Sequence, residues 1–180
     1  MGRVFDELTD QITEFIEAQH VFFVATAPSG VGGHVNLSPK GHDTFRVLDR
    51  TTVAYVDLTG SGVETVSHLR QNGRITVMFC AFDGKPNIVR LHGRGEVVVP
   101  GQEGAAGLLA RFGETRGARA VVRVSLDRIS TSCGYSIPFM DYVGERDTLV
   151  EWAERKGEEG LDAYHAEKNR VSIDGLPGLP

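Results

Sequence analysis

The chain has 180 residues, 41% hydrophobic and 24% charged, which suits one globular domain with a core able to fold without disulfide or metal staples. Its formal net charge of −5 disfavours general binding to nucleic acid or to an anionic membrane, so a basic residue that meets an anion must do so locally, in a pocket. Cys80 and Cys133 form no CxxC pair, no basic-then-apolar leader is seen, and the longest apolar run, Val21 to Ala27, is too short to span a bilayer; a cytoplasmic location is expected.

Taken in order, Phe5, Leu8, Ile12, Phe15 and Ile16 recur at helical spacing with acidic residues between them, which predicts an amphipathic helix bracing the core. Val21 to Thr26 predicts a buried strand, and Pro28 to Gly33 a turn. His34 to Gly41 (HVNLSPKG) begins as a strand and is expected to leave extended pairing at Pro39, which has no N–H to donate. Phe45 to Leu48 is a short strand. Thr52, Val53, Tyr55 and Val56 begin another, which breaks at Thr59-Gly60-Ser61-Gly62 and restarts as a short helix ended by Asn72-Gly73. Ser61, three residues before Glu64, has the spacing of a capping box.

Arg74 to Phe82 is apolar on both faces, as a central strand would be. Ile88 to Val99 predicts a long strand in which Gly93 and Gly95 permit a bend or bulge. A helix is predicted over Gly101 to Phe112, and Ala120 to Ile129 alternates as a half-exposed strand. Thr131 to Tyr142 is irregular and rich in aromatic residues. Asp147 to Lys156 and Glu158 to Lys168 read as two surface helices broken at Gly157, and the SIDGLPGLP tail as irregular chain. This pattern of strands with little helix between them favours a mainly β (α+β) small barrel with peripheral helices over a doubly wound α/β sheet.

The Thr52 to Arg74 stretch feeds a strand through glycines into a helix N-terminus, where unpaired N–H groups and the helix dipole favour an anion. It reads as well as a capped turn: Thr65 stands where the dinucleotide fingerprint needs its third glycine, no Gly-Lys-Ser/Thr occurs, and Glu64 would compete for the positive end. Asn36, Ser38 and Lys40 supply an amide, a hydroxyl and an ammonium at a strand end. Combined with Thr59 to Thr65 they would form a pocket for a phosphate monoester, with Lys40 as the point charge. Arg74 and Arg90 are further basic candidates. The six histidines form no HxxxH or Cys/His cluster, so no metal site is expected, and no GxSxG is present.

The order strand, NLSPKG, strand, YVDLTGSGVET helix, NGRITVMF strand, VRLHGRGEV strand resembles the FMN-binding split barrels related to pyridoxamine 5′-phosphate oxidase, over roughly Phe5 to Ile129. SPKG and GSGVET are similar to a broad branch of that family and not to the oxidase itself; CGYSIPF, GERDTL and SIDGLPGL are similar to that branch's tail. The resemblance implies a six-stranded split β-barrel over residues 1–130, with a C-terminal helical extension, 131–180, packed on the same domain. It also implies a homodimer with FMN in a groove between subunits. Asn36, Ser38, Pro39, Lys40, Ser61, Gly62, Thr65 and Arg90 are the cofactor-binding residues so implied, with Lys40 and Ser61 at the phosphate and the backbone of Asn36 to Ser38 beside the ring system.

Departures from the oxidase are equally specific. Asn36 stands where the oxidase has an arginine, Gly62 and Val63 replace basic residues, and Ile88 replaces a flavin-contacting glutamine. The oxidase's C-terminal substrate signature is absent, which argues against pyridoxamine phosphate as substrate. Two readings follow. One is an FMN-dependent oxidoreductase acting on a small-molecule substrate, with no catalytic side chain assigned and with Tyr135, His42 and Trp152 shaping a substrate space. The other is a non-catalytic split barrel that carries or senses FMN, deazaflavin or haem, with an axial ligand among His20, His34, His42, His68 and His92. A relative that has lost its cofactor and keeps only the dimer is a third.

Overall fold

The structure, a computed structural model, describes residues 2–113 and 115–180. In chain order the elements are β1 (Arg3–Phe5), α1 (Asp10–Glu17), β2 (Phe22–Thr26), β3 (Asn36–Lys40), β4 (Phe45–Val47), β5 (Thr52–Leu58), α2 (Glu64–Asn72), β6 (Arg74–Cys80), β7 (Ile88–Val98), α3 (Ala105–Leu109), β8 (Ala118–Ser132) and α4 (Thr148–Lys168). The strands form one sheet in the order β3-β2-β6-β7-β8-β5-β4, with β1 added beside the C-terminal part of β8. Every pairing is antiparallel. The sheet curls around one core that includes Phe22, Val24, Tyr55, Val77, Phe79 and Leu91. This is the mainly β, split-barrel architecture, in eight strands where six were expected.

Seven of the eight answer to strands predicted along the chain, and the one with no predicted counterpart is β1. Phe5 fits the helical spacing of Leu8 and Ile12, yet it pairs with Ile129. The helix waits until Asp10 because Thr9 holds an extended backbone and its hydroxyl accepts from the Ile12 N–H at 3.3 Å. Pro39 also differs from expectation: it stays in β3, opposite Phe23. An edge strand tolerates proline because one side of its backbone has no ladder partner. The anticipated bulge is present, with the β7–β8 register shifting between His92 and Gly93. A Cβ at Gly93 would lie 2.1 Å from the Ser125 carbonyl oxygen, so only glycine lets the two strands close there.

The capping box is absent. α2 starts at Glu64 with Val63 as its N-cap, and no side chain caps it, because Ser61 lies two residues upstream of the cap position. Gly73, at φ 70, ends that helix. α3 is shorter than the predicted span, whereas β8 is longer than its predicted one. α4 breaks at Gly157, whose φ of 64 and ψ of 175 are not helical, as its glycine predicted. The tail folds back through a Val171–Pro177 bridge and buries Leu179 against Val63 and Val66 of the α2 start. Among the described residues, no helix is long and apolar enough to cross a membrane.

Candidate functional site

The β2–β3 register places Asn36 opposite Thr26 and Ser38 opposite Val24, both buried, so Asn36, Ser38 and Lys40 alternate onto the inward side of the edge strand. There the Asn36 amide donates to the Thr65 hydroxyl at 2.9 Å and lies 3.4 Å from the Ser38 hydroxyl. A cavity of about 500 Å³ opens at this point, lined by Asn36, Ser61, Gly62, Glu64, Lys168 and Ile173 among others. Since no side chain caps α2, its first-turn N–H groups are left for a ligand or solvent.

Two features shape this cavity. The Glu64 carboxylate folds back over the loop: a Cβ at Gly62 would lie 2.3 Å from Glu64 Oε2, and Oε1 accepts from the Ile173 N–H at 3.3 Å. A negative charge therefore already stands near the positive end of the helix. The second feature is the tail. Asn169, fully buried, donates to the carbonyls of Gly60 at 2.9 Å and Ser61 at 3.4 Å, and Arg70 donates to the Gly178 carbonyl. The C-terminal segment thus walls the cavity of its own subunit.

Lys40 has a partner. Its Nζ lies 2.7 Å from Asp57 Oδ1, and Arg119 Nε lies 2.8 Å from Asp57 Oδ2. Arg119 also donates to the Gly60 carbonyl at 3.1 Å, which ties the ion cluster to the loop before α2. Burial pushes the Asp57 carboxyl up, but the charges of Lys40 and Arg119 outweigh it and hold the group below the usual carboxylate range. Arg90 is apart from all of these. It sits on β7 opposite Met78 and Ser130 and donates to the Ser132 hydroxyl at 3.0 Å. Pro39 lies on the opposite side of β3 from Asn36, Ser38 and Lys40.

The structure therefore gathers Asn36, Ser38, Ser61, Gly62 and Thr65 around one helix start, sets Lys40 on the same side in an ion pair, and leaves Pro39 and Arg90 elsewhere. Sequence reasoning missed Asp57 and Arg119. The signal was a lone carboxylate inside the apolar run TVAYVDL, which needs a buried cation. Several histidines are also engaged. His68 is fully buried with Nδ1 3.0 Å from the Thr26 hydroxyl, His34 pairs with Asp174 at 2.6 Å, and His165 Nε2 lies 2.8 Å from the Thr59 hydroxyl.

One strongly curled antiparallel sheet, with a short helix between β5 and β6 starting beside the edge strand, defines a split-barrel protein. A family model described as pyridoxamine 5′-phosphate oxidase matches residues 8–133, and the chain belongs to that family. The pyridoxamine 5′-phosphate oxidase family protein ustO of Aspergillus flavus is 39% identical over 194 residues, covering 97% of this chain and 77% of the relative. Among solved structures, a variant of HupZ from Group A Streptococcus aligns with a TM-score of 0.56 at 25% identity, over 69% of this chain and 98% of that one. A FAD-binding protein from Mesorhizobium loti aligns at 0.51 and 16% identity, over 73% and 96% of the two chains, a likeness of fold alone.

Proposed function

We propose that the protein is a cytoplasmic, flavin-dependent oxidoreductase that holds FMN by its phosphate at the start of α2 and works as a homodimer on a small-molecule substrate. The observation that carries this reading is the meeting of Asn36, Ser61, Gly62 and Thr65 at an uncapped helix N-terminus, in a chain of the pyridoxamine 5′-phosphate oxidase family. These groups fit a phosphate monoester: an amide and two hydroxyls surround backbone N–H groups, and Gly62 leaves the main chain bare. Lys168, 2.8 Å from the Glu167 carboxylate, is the cation on the cavity wall, while Lys40 acts through Asp57 in fixing β3 beside the site.

When bound, a flavin supplies the hydride and electron chemistry. The chain's own residues hold the phosphate, present the β3 backbone to the ring, and exclude water with the C-terminal tail. The surface for a second copy is the far side of β3, where Val35 and Leu37 are 75% and 64% exposed, together with the exposed Tyr135, Phe139 and Val143. Arg90 and Pro39, which lie off the α2 cavity, face that groove in this reading.

The test is the visible spectrum of purified protein after loading with FMN and gel filtration. A retained flavin band, weakened in Asn36→Ala and Thr65→Val, supports the assignment; protein that stays colourless overturns it. Flavin retained with no turnover of any electron donor would select the carrier or sensor reading instead.

A further inference from the structure

At the other end of β3 from the α2 cavity lies a second one, of about 670 Å³, between the β2–β3 edge and the strap that follows β8. Phe23 and Pro39 face each other across the two strands on the side away from the core. With Val21, Phe82 and Met140 they make the apolar part of the wall. One side is closed by the His20 ring stacked on Tyr142 of the strap, centroids 3.6 Å apart and planes within 6°. The size, and the mixture of a largely apolar lining with a few polar groups, are those of a small-molecule site.

The polar part of the wall is built around His42. It is the sole non-glycine residue with positive φ among the described residues, at 57. Such a backbone persists only where the surroundings hold it, and it is found disproportionately at functional sites. Here the holder is Glu145. Its Oε2 accepts from the His42 N–H at 3.2 Å and stands 3.7 Å from Nδ1, while its Oε1 accepts from the Tyr142 hydroxyl at 2.9 Å. One carboxylate of the strap thus fixes both the histidine of the body and the stacked tyrosine. The carboxylate stands on the Nδ1 side of the ring, which leaves Nε2 as the ring nitrogen available to a ligand.

We propose that this cavity is the substrate site, that it takes a planar aromatic molecule bearing a hydroxyl, and that Nε2 of His42 accepts the hydroxyl's hydrogen bond. The His20–Tyr142 stack and the Phe23, Pro39 and Phe82 rings of the wall suit an aromatic plane. Asp83, Asp141 and Glu145 face the cavity against Arg146 alone as a full cation, so a phosphorylated or carboxylated ligand is disfavoured. The inference rests on the flavin reading only in calling the molecule a substrate; the binding itself is measured without flavin.

The probe is 2-naphthol, titrated by fluorescence into the full chain, with 2-methoxynaphthalene as the analogue that has no hydrogen to donate. Saturable 2-naphthol binding is expected. His42→Gly, which suits the positive φ and removes the ring, should cut the preference for 2-naphthol over the methoxy compound by about 3- to 10-fold, the worth of one hydrogen bond. Met140→Glu should weaken both probes and leave their ratio unchanged. Absence of saturable binding overturns the site, and an unchanged ratio in folded His42→Gly protein overturns the role of His42. Protein that retains FMN but not 2-naphthol defeats this inference alone. Protein that binds 2-naphthol but no FMN leaves the cavity standing and removes the flavin reading.

Discussion

The substitution Asp57→Ala tests how the barrel is held shut. Asp57 on β5 is fully buried, and it joins Lys40 on β3 to Arg119 on β8 at 2.7 and 2.8 Å. Because β3 is one edge of the sheet and β5 is next to the other, the Lys40 contact crosses the split of the barrel. Removing the carboxylate strands Arg119, whose side chain is 5% exposed, and frees Lys40 to swing into solvent. Breaking a buried ion pair from one side costs about 3–5 kcal/mol. At about 2–4 °C per kcal/mol for a chain of this length, that lowers Tm by about 6–20 °C. The folded carboxyl titrates below its ordinary value of 3.8, so its stabilisation is complete above that pH and is lost as pH falls through the folded value. The difference between parent and variant should therefore be constant across neutral pH and shrink only in strong acid. Urea unfolding followed by far-UV circular dichroism measures it. The triple replacement Lys40→Met, Asp57→Leu, Arg119→Met should recover most of the loss, since apolar side chains can replace a buried ion cluster at little net cost. A loss below about 1 kcal/mol in Asp57→Ala, the worth of a surface pair, would refute the account.

Three further outcomes are expected. Glu64→Gln removes the carboxylate that stands by the start of α2, and should tighten FMN binding by about 2- to 5-fold in a fluorescence-quenching titration; weaker binding would show that the carboxylate serves the site. His68 is buried, and burial holds its pKa below 6.5 despite the nearby Asp174 and Glu64, so its contribution to stability is present above 6.5 and is lost as pH falls through the folded value. The fall in stability below pH 6.5 should be shallower in His68→Gln than in the parent, and parallel curves would sink the assignment. Gly93→Ala drives a Cβ to 2.1 Å from the Ser125 carbonyl oxygen and should cost about 1–3 kcal/mol or more by chemical denaturation, whereas Gly107→Ala, with nothing within 4 Å, should not destabilise.

Most of the fold was legible because its signals are local. Alternation and β-branched runs marked β2, β5, β6, β7 and β8, and the glycines at 73, 93 and 157 marked a helix end, a bulge and a helix break. What failed were choices that tertiary contacts decide. Phe5 obeys the helical period, but the β8 edge offers it a strand partner. Ser61 has the spacing of a cap, but the carbonyls of Gly60 and Ser61 are held by Asn169, from 108 residues or more away, and the helix starts later. In the candidate site, the grouping of Asn36 with Thr59 to Thr65 was anticipated, but not its route: β3 and β5 are not neighbours in the sheet, and the two segments meet across the split. The pairing of Lys40 was not, because nothing local to Lys40 announces that a buried aspartate two strands on will claim it.

The folded-back tail also has a consequence for how the protein is made. Arg70 meets Gly178 across 108 residues of chain, and Leu179 covers Val63 and Val66 of the α2 start. At 5–20 residues per second, those contacts become available on the order of 10 s after α2 leaves the site of synthesis. During that interval the apolar start of the helix is open, and the wall of the α2 cavity is unbuilt. The segment that finishes the site follows α2 by about a hundred residues of chain, so a truncation ahead of Asn169 leaves the cavity without its wall.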